Sequence, residues 1–280
     1  MHVDGKGDKS PIFIPAKGPA VLCLHGFTGT PWEVAPLARA LGSAGFAVSV
    51  PLLEGHGEDT AALAATTWRD WLSSAEEAFD RLRVEAGGPV AIAGFSMGGL
   101  LALRLARLRP GAVPALALMS VPLRLPEWQV AVLRAFGLLP GFLRRNRLAR
   151  LHKRGGSDVT DAQVRDENPS LHEMPLAGIA ELVDLAETVR RDLTFLAMPA
   201  LVAHGERDRT VPQSASFELA GSLASIVVER LWLPRSGHLI AVDVERAQLC
   251  DTVVRFLSKH VGAPVGAGHP SPPAEDRQAK

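Results

Sequence analysis

The stretch Gly94-Phe95-Ser96-Met97-Gly98 stands between the apolar run "PVAIAG" and the helix-patterned "LLALRLARL". It matches G-x-S-x-G, the pattern of a nucleophile elbow, in which a tight strand-to-helix turn lifts a serine hydroxyl clear of a sheet edge. Such a turn strains the serine backbone, and side chains at positions 94 and 98 are expected to collide with it, which gives those glycines a purpose. A helix starting just after the serine aims its first amides at the point where negative charge develops during acyl transfer.

A serine hydroxyl is a weak nucleophile near neutral pH and needs a base, and the base needs a carboxylate that fixes its tautomer. The chain has nine histidines. His238, in "LPRSGHLIAVD", follows the last strand-like run and precedes the last helix-like one. Like Ser96, it therefore falls on a loop at the carboxyl end of a strand, where open α/β sheets build their sites. His25 and His204 each begin an "HG" pair after a strand and are expected to hydrogen-bond backbone and shape their turns. His56, in "EGHGED", could line a pocket, although its two glycines more simply mark a turn. His2, His152, His172, His260 and His269 read as solvated. Asp208, at the end of "LVAHGERD", is favoured as the carboxylate; Glu206 competes from two residues earlier. Asp243 reads instead as the N-cap of the final helix. Two donors must also meet the developing oxyanion. The Met97 amide is one candidate, and the Phe27 amide, in the glycine-containing loop "HGFTGTPWE", is the other.

The elements that must position these residues are short apolar runs alternating with helix-period segments. "AVLCLHG", "FAVSV", "PVAIAG", "PALALMS", "PALVAHG" and "IVVERLWLP" read as strands. Residues 67–83 place Trp68, Trp71, Leu72, Ala75, Phe79 and Leu82 on one helical stripe. Such alternation implies an α/β fold with a mostly parallel central sheet flanked by helices on both faces. One connection, between about Ser120 and Ala200, is roughly 80 residues long, where a single crossover needs about 20 to 30. Residues 122–193, rich in helix-patterned Leu and Ala, are therefore expected to form a helical cap over a core made of 1–121 and 194–260. The Pro/Gly-rich tail 261–280 is expected to be disordered.

Composition narrows the function classes. Thirty basic and 30 acidic residues balance to a formal charge of +0, so no overall field draws the 280-residue chain to nucleic acid or to anionic membranes. Tyrosine is absent and aromatics are few, which argues against a stacking surface for single strands. The absence of a bilayer-length apolar segment or a signal-like start suggests a cytoplasmic protein. Cys23 and Cys250 match no metal or redox spacing and read as reduced, buried thiols. Neither a metal nor an organic cofactor is called for.

Together "LHGFTGTPWEV", "AGFSMGG", "ALMSVP", "PALVAHGERDRTVP" and "SGHLIAVDVERAQL" resemble the α/β-hydrolase superfamily, in particular bacterial carboxylesterases and monoacylglycerol lipases with a small cap. The resemblance runs from about Ala20 to Leu257 and is weakest in the cap. It implies an α/β-hydrolase fold with a helical cap insertion, with Ser96 as nucleophile, Asp208 as acid, His238 as base, and Phe27 and Met97 as oxyanion amides. The chain order Ser…Asp…His is the one that fold uses. The implied substrates are short- to medium-chain acyl esters and monoacylglycerols, so the expected partner is a small ester or lipid. Cap composition suggests an apolar acyl pocket involving Trp128, Leu133, Phe136 and Leu139. The basic cluster Arg144, Arg145, Arg147, Arg150, Lys153 and Arg154 reads as a solvated face, with a patch that steers an anionic substrate, or docking on a lipid surface beside "FGLLPGF", as the alternatives.

Overall fold

The structure, a computed structural model, describes residues 7–124, 131, 149–153 and 156–262. The proposed pocket residues Trp128, Leu133, Phe136 and Leu139 lie outside these, as do Arg144, Arg145, Arg147, Arg154 and the tail from 263.

Seven strands form one sheet: β1 (Ile12–Ile14), β2 (Ala20–Leu24), β3 (Ala47–Val50), β4 (Val90–Phe95), β5 (Leu116–Met119), β8 (Ala200–Gly205) and β9 (Val228–Leu233). Their spatial order is β1-β3-β2-β4-β5-β8-β9, and every pair except the antiparallel β1–β3 is parallel. Parallel strands covered on both faces need apolar side chains at every position. Accordingly β2, β4, β5 and β8 are buried throughout. Alternation along β2 then divides the core in two. Leu22 and Leu24 join one hydrophobic cluster, with Trp71 and Phe79 of α3 (Trp68–Ala86), Leu100 of α4 (Met97–Leu108) and Leu185. Val21 and Cys23 join the other, with Leu37 of α1 (Ala35–Ser43) and Phe256 of α8 (Arg246–Val261).

Helix α3 begins where the Asp70 carboxylate accepts the Thr67 amide at 2.8 Å, and the whole predicted stripe from Trp68 to Leu82 is buried. Helix α2 (Thr60–Ala65) is capped by Asp59, which accepts the Ala61 and Ala62 amides, both at 2.8 Å. Among the described residues no helix is long and apolar enough to cross a membrane.

The described chain between β5 and β8 adds strand to the expected helical cap. It holds α5 (Ala162–Glu167) and α6 (Leu176–Asp192), and also a two-stranded antiparallel ribbon of β6 (Arg150–His152) and β7 (Glu173–Pro175). The ribbon is three pairs long, Arg150↔Pro175, Leu151↔Met174 and His152↔Glu173, with an Arg150–Glu173 ion pair at 2.7 Å. Pairing across such a separation leaves no period in either segment. At the other end Val261, the first residue assigned to the tail, is the buried last residue of α8. Helix α7 (Gln213–Ser222) packs on β8.

Candidate active site

Three loops at the carboxyl ends of β4, β8 and β9 converge above the sheet. Ser96 sits between β4 and α4 at φ 53°, ψ −121°, a conformation that L side chains seldom adopt. Its amide is anchored to the Met119 carbonyl at 2.8 Å. The flanking glycines are required, though the obstacle is not the serine. A Cβ on Gly94 would lie 2.3 Å from the Gly98 carbonyl oxygen, and one on Gly98 would lie 2.3 Å from that of Leu24. The glycines let α4 start hard against β2 and β4.

The Ser96 hydroxyl makes no capping bond to α4, and its Oγ lies 3.0 Å from His238 Nε2. His238 Nδ1 lies 2.8 Å from Asp208 Oδ2, the geometry of an Nδ1–H donating to the carboxylate. The other oxygen, Oδ1, accepts the amides of Thr210 and Val211, each at 2.8 Å, so the carboxyl cannot swing. Glu206, the competing acid, points to solvent. Burial disfavours the charged form of His238, yet the carboxylate and hydrogen bond of Asp208 outweigh it and hold the imidazole pKa above its ordinary value. Burial likewise opposes ionisation of Asp208, and the charge and hydrogen bond of His238 overcome it, so that acid titrates below the usual range.

The His238 loop is held from beneath by Asp243, which does not cap the final helix. Its buried carboxylate accepts amides from Gly237 (2.7 Å), Thr160 (2.9 Å), Asp161 (3.0 Å) and Val244 (2.8 Å). Glu245 occupies the position before α8 instead. A buried carboxylate that collects four amides satisfies more backbone here than a helix end would offer.

The remaining histidines sort by their surroundings. His25 behaves as expected: one ring nitrogen meets the Gly26 carbonyl at 3.0 Å and the other accepts the Leu53 amide at 3.2 Å. Burial, with His56 adding to it, pushes the His25 pKa down to about 3, so the ring is neutral. His56 stays in its turn, between Gly55 and Gly57 at φ 72° and 80°, and packs 5.0 Å from the His25 ring. His204 differs from expectation, because its ring meets the Ser216 hydroxyl at 2.8 Å and lies 3.4 Å from Asp208 Oδ2 rather than serving backbone. His260 is not solvated: only 14% of its side chain is exposed, and its ring packs on Phe256 at 4.7 Å. His152 and His172 are exposed. Cys23 and Cys250 are free and buried.

The loop 26–30 carries Phe27. Among the described residues no protein group accepts the Phe27 amide, and Met97, as the first residue of α4, has no acceptor within its helix. Glu33, which sequence reasoning passed over, shapes this loop. Its Oε2 accepts the Gly26 amide at 3.1 Å and its Oε1 accepts the Ser170 hydroxyl at 2.9 Å. A Cβ on Gly29 would come within 1.9 Å of Oε2, so glycine makes room for the carboxyl. The spacing Thr30-Pro31-Trp32-Glu33 imitates a capping box, which is the one local signal that this acid turns back on the chain. Thr28, at φ 65°, gives its carbonyl to the Leu171 amide at 3.0 Å, and its Oγ1 accepts from Lys153 Nζ at 2.6 Å. Lys153 is thus not part of a solvated face. Burial lowers its pKa while Glu33 partly opposes that, and burial raises the pKa of Glu33 in turn.

Ser96 and His238 open into a cavity of about 820 Å³ whose wall includes Phe27, Lys153, Met174 and Leu182. The volume is that of a small-molecule site.

A family model described as serine aminopeptidase, S33, matches residues 16–245. The thermostable monoacylglycerol lipase of Bacillus sp. (strain H-257) is 30% identical over 254 residues, covering 89% of this chain and 95% of the relative. The carboxylesterase of Bacillus subtilis (strain 168) is 28% identical over 242 residues, covering 86% and 92%. Among solved structures, one from the work on the metagenome-derived lipolytic enzymes LipS and LipT superposes with a TM-score of 0.81 at 27% identity, covering 90% of this chain and 98% of that one. With an elbow between β4 and α4 in a seven-stranded sheet, and a family match over most of its length, the chain belongs to the serine aminopeptidase S33 family of α/β-hydrolases.

Proposed function

We propose that this carboxylic-ester hydrolase works by two-step acyl transfer on Ser96. The observation that carries the reading is the unbroken relay of contacts, 3.0 Å from Ser96 Oγ to His238 Nε2 and 2.8 Å from His238 Nδ1 to Asp208. His238 takes the hydroxyl proton as Ser96 attacks the ester carbonyl, and Asp208 stabilises the imidazolium that forms. The amides of Phe27 and Met97 receive the oxyanion; preorganised donors of this kind cost no reorganisation when charge appears. His238 then protonates the departing alcohol, and water repeats the cycle to free the acid. Residues 122–193 act as the cap of the site, above the core of 1–121 and 194–260. The partly apolar cavity of about 820 Å³, with relatives named monoacylglycerol lipase and carboxylesterase, supports short- to medium-chain acyl esters, monoacylglycerols included, as substrates.

The test is covalent labelling. A fluorophosphonate probe is expected to modify the protein once, on the peptide containing Ser96, and Ser96→Ala is expected to abolish both labelling and p-nitrophenyl ester hydrolysis. Labelling that persists in Ser96→Ala, or an unlabelled wild-type protein that still cleaves the ester, overturns the assignment.

A further inference from the structure

The cavity wall carries four cationic or potentially cationic side chains besides His238: Arg150, His152, Lys153 and Arg209. Three have carboxylates close by. Arg150 meets Glu173 at 2.7 Å, His152 meets the same acid at 3.3 Å, and Arg209 meets Asp158 at 3.2 Å. Lys153 differs. Its described polar contact is a neutral hydroxyl, Thr28 Oγ1 at 2.6 Å, and among the described residues no carboxylate oxygen lies within 4.0 Å of its Nζ. Glu33 supplies an opposing charge, but its oxygens are engaged by the Gly26 amide and the Ser170 hydroxyl.

An ammonium has three donor protons, and the Thr28 hydroxyl uses one. Lys153 is only partly exposed, and a partly desolvated charge without a close partner is penalised, so retaining one is explained when something brings the missing counter-charge. Here the open side is the cavity that also holds Ser96. Thr28 directly follows Phe27, so the ammonium is tethered beside the proposed oxyanion loop, on the wall of the cavity that holds Ser96.

We propose that Lys153 is a specificity-determining residue that selects esters bearing a carboxylate a few bonds from the reacting carbonyl, such as half-esters of short dicarboxylic acids. The inference rests on the assignment of this cavity as the ester site. Carboxylate is preferred to a neutral polar group because only an anion supplies the opposite charge that burial makes worthwhile.

The experiment compares two methyl esters of the same shape, monomethyl succinate and methyl 4-methylpentanoate, in which an isopropyl group replaces the carboxylate. Each kcat/KM is normalised to the rate of hydrolysis of the same ester by hydroxide. The ratio of half-ester to isostere is expected to favour the half-ester in the full-length wild-type protein. In Lys153→Met it is expected to fall about tenfold or more, chiefly through KM, as for loss of a hydrogen bond to a charged group. Lys153→Arg is expected to keep most of the preference. An unchanged ratio in Lys153→Met overturns the proposal, and so does an equal loss on both esters, which would make Lys153 a brace for the loop and nothing more. If Lys153→Met does not fold, the wild-type ratio decides, and a value below one overturns the proposal. Ser96→Ala separates the two readings: residual hydrolysis of the isostere condemns the assignment of the ester site, whatever the ratio shows.

Discussion

The turn at Ser96 and the loop at 26–30 face the same cavity but are held in opposite ways. The turn is fixed by the core: the Met119 carbonyl takes the Ser96 amide, and Gly94 and Gly98 let α4 press against backbone. The loop is fixed largely by side chains that arrive from the segment between β5 and β8. Lys153 reaches Thr28 Oγ1, the Leu171 amide reaches the Thr28 carbonyl, and Ser170 steadies Glu33, which in turn holds Gly26. One half of the site is thus built into the sheet, whereas the other depends on an insertion. Changes in the two halves should therefore fail differently.

The largest effect is expected where neither half can compensate. Asp208→Asn should lower kcat by about 10⁴-fold while the fold persists. It should also move the acid limb of kcat/KM. Neutral His238 is the active base, so activity rises as pH climbs through its pKa, and that pKa stands above the usual histidine range because Asp208 outweighs burial. Without the carboxylate the limb should shift to lower pH, and a limb that stays in place in Asp208→Asn would show that Asp208 does not set the His238 pKa.

Next comes the core-built turn. Gly98→Ala sets a methyl group against the Leu24 carbonyl at 2.3 Å, so backbone must move, at a cost of about 3 kcal/mol in urea unfolding. A variant with wild-type stability would show that the turn has slack. Removing the insertion's grip should act on rate rather than on stability of the whole. Ser170→Ala frees one oxygen of Glu33 and should lower kcat about fivefold, the equivalent of ~1 kcal/mol, with KM little changed. Equal changes in kcat and thermal stability would erase the contrast between the halves. The smallest effect serves as a control. Asp59→Ala removes the α2 cap and should cost ~1 kcal/mol of stability with no change in kcat/KM.

The same division explains what could be read from the chain. The strands, the α3 stripe and the G-x-S-x-G turn are local patterns: each is a run of apolar residues or a fixed spacing within about 20 positions. Asp208 and His238 were legible as candidates because their loops follow strands. What escaped is set by partners far along the chain. Lys153 looked solvated beside its basic neighbours, and nothing local shows that it meets Thr28, 125 positions away. Glu33 meets Ser170 across 137 positions. The β6–β7 ribbon exists only through its pairing, and His260, near the end of an amphipathic helix, is sheltered by the Phe256 ring one turn back.

Asp243 carries a practical lesson for anyone wishing to exchange the variable half of this molecule for that of a relative. Two of its four amides, Thr160 and Asp161, come from the insertion, and the other two from the loop that bears His238. A chimera spliced between 156 and 162 would leave that acid half-solvated at the floor of the donor scaffold, and its loop free to drift. Grafts should therefore carry the 157–161 strip along with the acid it feeds, as one transplantable unit.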